Sequence, residues 1–318
     1  MRERAAIADR AGYGRILLTG ADRRSYLQGL LTNDIEALTP GTGCYATMLT
    51  AQGRMMTDMR VLELGDAVLL DVPAEVTAAI RDHFDRFIFA EDVKVEDVTA
   101  TRVELGLYGP DAVRVLQAVA TEGSAPATLF GVSRVRIADA QAFLVRTDDP
   151  VPGFDIVLAA ADAAGVRERL LAAGAAPATD ADLEIARIES GRPRFGIDMD
   201  NETIPLEAGL EERAISRSKG CYVGQEVIVR VQDRGHGRVA KRLVAMTFNA
   251  DAPVPARNST IRAGEREVGK ITSATWSPAL ARPIALGYLH RDFTAAGTHV
   301  AIDGAEGVVT ALPVVTLQ

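Results

Sequence analysis

Apolar positions in the first 160 residues follow two rhythms. RILLTG (15–20), CYATMLT (44–50), MMTDMRVLEL (55–64) and AVLLDV (67–72) read as strands, with turns at Gln52-Gly53 and Gly65-Asp66. After Asp22 the spacing becomes helical, with Tyr26, Leu27, Leu30 and Leu31 on one face. It does so again over 74–89, through Val76, Ile80, Phe84 and Phe87. Thr39-Pro40-Gly41-Thr42-Gly43 is a turn by composition. VKVEDV (93–98) and VELGLYG (103–109) return to strand, and Pro110 stands where a first helical turn tolerates it, opening a helix through Leu116. A second block has the same strand, strand, helix order: SRVRIA, QAFLVRT and FDIVLA between 133 and 159, then a helix over 162–173 to Gly174. ADLEIARIESG (181–191) is helical and stops at Gly191.

Beyond about residue 240 the pattern changes. RLVAMTF, EVGKITSATWS, IALGYLH, THVAI and EGVVTAL alternate at short intervals between Gly, Pro and Asn, and no helix-length period remains. Such spacing predicts a small antiparallel barrel or sandwich. The division expected is therefore an α+β chain with two interleaved α/β units in 1–242 and a β domain in 243–318.

Composition narrows the function classes. The 318 residues carry a net charge of -8, which argues against an evenly basic nucleic-acid binder and leaves room for a local basic patch. Two cysteines, Cys44 and Cys221, cannot build a disulfide framework or close a metal site unaided. No apolar run approaches the ~18 residues of a membrane span, and the charged N-terminus lacks a secretory core. The expectation is a cytoplasmic protein. His83, His236, His290 and His299 are scattered, and neither a Walker A pattern nor a GxGxxG after a strand is present.

The candidate chemistry concentrates in 204–242. Within 213–242 eight cations (Arg213, Arg217, Lys219, Arg230, Arg234, Arg238, Lys241, Arg242) meet only Glu226 and Asp233, so this strip carries +6 and leaves -14 elsewhere. It reads either as a solvated basic face or as recognition of a particular anion. Cys221 lies between Gly220 and Gly224, close in sequence to Arg217 and Lys219 and before a helix expected over Val223–Val231. That setting favours a thiolate. The bland alternative is a small buried hydrophobe, which is how Cys44 reads. A nucleophilic pair of Cys221 with His236 is the weaker possibility. Glu207, in an apolar stretch after Pro205, is either a bidentate acceptor for two adjacent N–H donors of a heterocycle or a helix-start acid. Asp58 lies between apolar strand neighbours and either orients a ligand amine or faces solvent.

Lys219-Gly220-Cys221-Tyr222-Val223-Gly224-Gln225-Glu226 resembles the signature octapeptide of the YgfZ folate-binding proteins and their mitochondrial iron–sulfur assembly relatives. Gly20-Ala21-Asp22, Tyr26-Leu27-Gln28-Gly29, Thr32-Asn33-Asp34, Gln52-Gly53-Arg54 through Asp58, Arg187 to Gly191 and Arg242-Leu243 agree in order. They are shared with the wider superfamily of the glycine-cleavage T-protein, an aminomethyltransferase using tetrahydrofolate. The T-protein resembles this chain around Asp58 and Ile204–Leu210 but has no cysteine at 219–224, so the octapeptide points to the YgfZ branch. The resemblance implies two α/β domains and a C-terminal β-barrel in a ring around a central folate cavity. It implies Glu207 against the pterin and Asp58 near the reactive folate nitrogen. Tyr222, Gln225 and Arg230 count as further cofactor-binding residues, and Cys221 with Lys219 as the functional pair. The function implied is a tetrahydrofolate-binding accessory protein in assembly or repair of [4Fe–4S] proteins. Its partners would be iron–sulfur client or assembly proteins, with no membrane and no direct nucleic-acid binding. Any cluster contact would be shared with a partner, since one cysteine cannot supply four thiolates. The alternatives are a folate-dependent aminomethyltransferase and a factor acting indirectly on tRNA modification.

Overall fold

The computed structural model describes residues 1–235 and 237–315; a Cys221–His236 pair lies outside the described residues. The chain divides into one unit of 1–49, 56–180 and 213–223 and a second of 50–55, 181–212 and 224–318.

The first unit contains β1 (Ala6–Asp9), β2 (Tyr13–Thr19), α1 (Arg23–Leu30), β3 (Thr42–Leu49), β4 (Met55–Glu63), β5 (Val68–Pro73), α2 (Thr77–Arg86) and β6 (Lys94–Asp97). There follow β7 (Arg102–Tyr108), α3 (Ala112–Val119), β8 (Ala120–Glu122), β9 (Val132–Ile137), β10 (Ala140–Thr147), β11 (Gly153–Ala159), α4 (Ala163–Ala172) and β12 (Ala176–Pro177). They form a five-stranded sheet, β3-β4-β5-β2-β6, and a seven-stranded sheet, β12-β1-β7-β11-β10-β9-β8. Successive side chains point to opposite faces, and near-continuous buried runs such as Val68–Pro73 and Gly153–Ala159 make both faces of each sheet apolar. One face of the first sheet packs Ile16, Val61 and Leu70 against Leu27 of α1 and Ile80 and Phe84 of α2. One face of the second packs Leu144 and Ile156 against Leu116 of α3 and Leu170 of α4. Each such fully buried side chain contributes about 1.5–3 kcal/mol. The remaining faces meet through Leu62, Leu69, Val132, Val145 and Val157. Ala6–Asp9, Ala120–Glu122 and Ala176–Pro177 are strands of this unit that the hydrophobic pattern missed: two to four residues are too few to show a period.

Beside that apolar seam the two sheets also share a buried ion network. Arg60 on β4 bonds Asp71 on β5 (Nε to Oδ2, 2.9 Å), Glu104 on β7 (Nη2 to Oε1, 2.6 Å) and Asp155 on β11. Arg10 lies 3.5 Å from Glu104, and Arg15 lies 3.8 Å from the other Glu104 oxygen. Three cations thus face three carboxylates, which is how charges are tolerated away from water.

The second unit contains α5 (Asp180–Glu189), the start of α6 (Glu211–Ala214, whose last two residues belong to the first unit), α7 (Gln225–Val229), and the strands β13 (Lys241–Phe248), β14 (Thr260–Ala263), β15 (Arg266–Ser277), β16 (Arg282–His290), β17 (His299–Ile302) and β18 (Ala305–Thr310). The strands close a barrel in the order β13-β16-β15-β14-β17-β18, which leaves no open edge. Its interior holds Met246, Phe248, Ile261, Ile271 and Leu289. Ile188 of α5 packs outside, on Leu243, Ala245 and Leu286. Arg187 fixes this helix by donating to Asp198 (2.6 Å) and Ser273 (2.8 Å).

Candidate functional site

Asp58 is on β4, and the neighbouring β3 brings Tyr45 to it: the phenol donates to Oδ2 at 2.5 Å. Oδ1 is shut off from solvent and has no hydrogen-bond partner. Burial pushes the Asp58 carboxyl up to about 6 and nearby Asp149 adds to this, while the Tyr45 hydroxyl, the Asp58 backbone and Arg213 oppose it. An acid of that strength can hold or release a proton near neutral pH. Tyr45, which the sequence reading did not single out, is itself braced. The Arg213 guanidinium lies 5.1 Å from its ring centroid and 5.3 Å from that of Phe130, and it grips Asp148 with both nitrogens at 2.9 and 2.7 Å.

Cys221 is exposed, in the same unit. Its loop is pinned at both ends on the C-terminus of α1. Lys219 Nζ donates to the carbonyls of Gln28 (2.6 Å), Leu31 (2.6 Å) and Asn33 (3.0 Å), and the Val223 N–H donates to Gly29 O at 3.2 Å. These carbonyls include ones the helix end leaves without internal donors. Lys219 Nζ also lies 5.0 Å from the centroid of the buried Tyr222 ring. Burial lowers the Lys219 amine to about 8, against the pull of Asp34, Cys44 and Glu36. The Lys219 ammonium thus donates to backbone carbonyls and holds the loop. Burial likewise pushes the Tyr222 phenol up to about 12. Cys44 packs against the core of the first sheet, and burial pushes its thiol up to about 12.

Glu207 lies in the second unit, 7% exposed, on the turn before α6. It is therefore not a helix-start acid. Its Oε2 accepts from Ile204 N at 3.4 Å and lies 3.9 Å from Lys241 Nζ, and its carbonyl accepts from Leu243 N at 2.8 Å. Burial raises its carboxyl above the ordinary range, with Lys241, the Ile204 N–H and Arg54 opposing. Lys241 Nζ also sits 4.9 Å from the Tyr288 ring centroid. The Gln52-Gly53-Arg54 turn belongs here too. Gly53 has φ +73°, and a Cβ on it would come within 2.8 Å of Val227 on α7.

Two expectations are corrected. The helix predicted over Val223–Val231 is α7 from Gln225, with a π-turn over Arg230–Arg234, and Gly224 takes φ 83° before it. Gln225 is thus its first residue. Arg230 is exposed and paired with Glu226 one turn earlier at 2.9 Å, which makes it a surface ion pair. The basic strip is not a free cationic surface either. Arg213 is neutralised by Asp148, Arg242 bonds Glu211, Lys241 faces Glu207, and Lys219 is caged by carbonyls. Those carboxylates come from outside the strip, so its sequence charge overstated its field. Among the described residues no cluster of His, Cys, Asp and Glu could hold a metal ion, and no helix is long and apolar enough to cross a membrane.

Two sheets with paired helices, followed by a closed six-stranded barrel, make the T-protein fold. Residues 1–219 match the GCVT N-terminal domain, and residues 241–317 match the glycine cleavage T-protein C-terminal barrel domain. The chain belongs to the glycine cleavage T-protein family. It is 31% identical over 291 residues to the aminomethyltransferase of Rubrobacter xylanophilus, covering 91% of this chain and 77% of that one. It is 31% identical over 314 residues to the aminomethyltransferase of Geobacillus kaustophilus, covering 95% and 84%. The glycine cleavage system aminomethyltransferase T from Bartonella henselae superposes with a TM-score of 0.87 over 100% of this chain and 88% of that one, at 23% identity.

Proposed function

We propose that this chain binds a reduced folate and acts in one-carbon chemistry through Asp58, with folate-dependent aminomethyl transfer as the first reading. The carrying observation is the Asp58 carboxyl, held by Tyr45 on one oxygen and left without a partner on the other. An enclosed acceptor with nothing to accept is costly unless a ligand completes it. A reduced pterin, rich in ring N–H groups, fits that demand. Tetrahydrofolate supplies a ring nitrogen able to carry a one-carbon unit. Asp58 Oδ1 is assigned to orient such a nitrogen and to hold or release a proton there, while Tyr45 keeps Oδ2 fixed. Glu207 is assigned, on the family resemblance alone, to adjacent N–H donors of a heterocycle. The names of the relatives at 31% identity support transfer of an aminomethyl group. The test is tetrahydrofolate-dependent ammonia release from an aminomethylated lipoyl carrier, present in the wild type and lost in Asp58→Asn. Absence of release from the wild type would remove this reading.

The exposed thiol of Cys221 favours a second reading. The octapeptide around it resembles that of the YgfZ proteins, and a pinned loop displaying a thiol to solvent suits an accessory protein for [4Fe–4S] enzymes better than a buried transferase residue. In a deletion strain, Cys221→Ser should then fail to restore iron–sulfur enzyme activity. Full restoration would dismiss a thiol role.

A further inference from the structure

Asp58 and Cys221 lie 163 positions apart in sequence, yet one residue of the first unit is bonded toward both, through its side chain on one side and its main-chain carbonyl on the other. Asn33 follows α1 in the Thr32-Asn33-Asp34 turn. Its side-chain Nδ2 donates to Tyr45 O at 2.8 Å and to Arg213 O at 3.3 Å. Its Oδ1 accepts from Asp34 N at 2.9 Å, which fixes the amide's orientation. Its main-chain carbonyl accepts from Lys219 Nζ at 3.0 Å. Thr32 strengthens the seam, donating to Ala214 O at 2.6 Å and accepting from Ser216 N at 3.0 Å.

We infer that Asn33 is a positioning residue that couples the Asp58–Tyr45 acid to the loop displaying Cys221. Its amide sets the backbone of Tyr45 and of Arg213, the two residues that hold and brace the Asp58 oxygen. Its carbonyl is one of three anchors of Lys219, which holds the Cys221 loop against α1. A change in the Asn33 turn therefore reaches both centres, whereas changes at Tyr45 or Lys219 reach one each. The charged and titratable groups facing Asp58 include Tyr13, Tyr45, Asp149 and Arg213, and those facing Lys219 include Asp34, Glu36, Cys44 and Tyr222. The coupling deepens the proposed roles of Asp58 and Cys221 and rests on them for its functional meaning, but its test does not.

The test uses the full chain carrying Asn33→Leu, close in volume and without the amide, with Asn33→Ser as the milder variant. Far-UV circular dichroism confirms folding. Carbon-13 NMR of labelled aspartate reads the Asp58 midpoint, hydrogen exchange reads the Val223 amide, and reaction with a disulfide reagent reads Cys221. Loss of the bracing should raise the Asp58 midpoint by about one unit, speed Val223 exchange severalfold and raise the Cys221 rate severalfold. Tyr45→Phe should move only the first readout, and Lys219→Met only the other two. The coupling is overturned if a folded Asn33 variant moves one centre alone or neither. If the wild type binds no tetrahydrofolate while Asn33→Leu moves all three readouts, the functional reading fails and the coupling stands.

Discussion

Replacing Asp58 by Asn keeps the size of the side chain and an acceptor for the Tyr45 hydroxyl while removing the titrating group. In the folded protein this carboxyl sits at about 6, against an ordinary 3.8. The folded state therefore holds the proton more tightly than the unfolded chain does. The stability from this difference is fully present below pH ~4 and is lost as pH rises through about 6. Two units correspond to about 3 kcal/mol, an upper figure for a carboxyl with partial access to solvent. Urea unfolding followed by circular dichroism from pH 4 to 8 should show the Asp58→Asn variant losing less stability than the wild type across that window. At pH 7 the variant should be the more stable of the two, by as much as that amount. A variant with the wild-type pH slope, or one less stable at pH 7, would refute the reasoning.

Other substitutions separate structural from functional groups. Cys221 should react with a thiol reagent in the native protein, while Cys44 should react only on unfolding; equal native rates would contradict the difference in burial. Arg60→Met should cost about 3–5 kcal/mol in urea unfolding, since it leaves Asp71, Glu104 and Asp155 without their shared cation. A neutral result would mean the network is not closed to water. Lys241→Met removes a charge that keeps the Glu207 carboxyl from rising further. Its Glu207 midpoint, read by NMR, should move up relative to the wild type, and an unchanged or lower midpoint would disprove that contact.

The parts of this structure legible from sequence are those whose signals are local. Ile80 and Phe84 recur at helical spacing and face the core of the first sheet; the alternating strands after 240 close the barrel. The Gln52-Gly53 turn predicts that β3 and β4 lie side by side, which is enough to bring Tyr45 near Asp58, though nothing in the local pattern marks that tyrosine. The fate of the basic strip was illegible for a different reason. Arg213 is answered by Asp148, 65 positions away, and Lys219 by main-chain carbonyls 186 to 191 positions away, which no side-chain pattern records. The octapeptide marked a special loop but did not reveal that its lysine serves as a clamp. Asn33 likewise reads as an ordinary turn residue until the fold brings Tyr45, Arg213 and Lys219 around it.

The most direct test of a folate role for Asp58 is calorimetric titration of the purified full chain with tetrahydrofolate, comparing wild type, Asp58→Ala and Glu207→Ala. Saturable binding by the wild type, weakened at least tenfold in each variant, is the predicted result; about 1.4 kcal/mol per lost contact corresponds to that factor. A wild type that takes up no ligand, or an Asp58 variant that binds as tightly as the wild type, would contradict the claim.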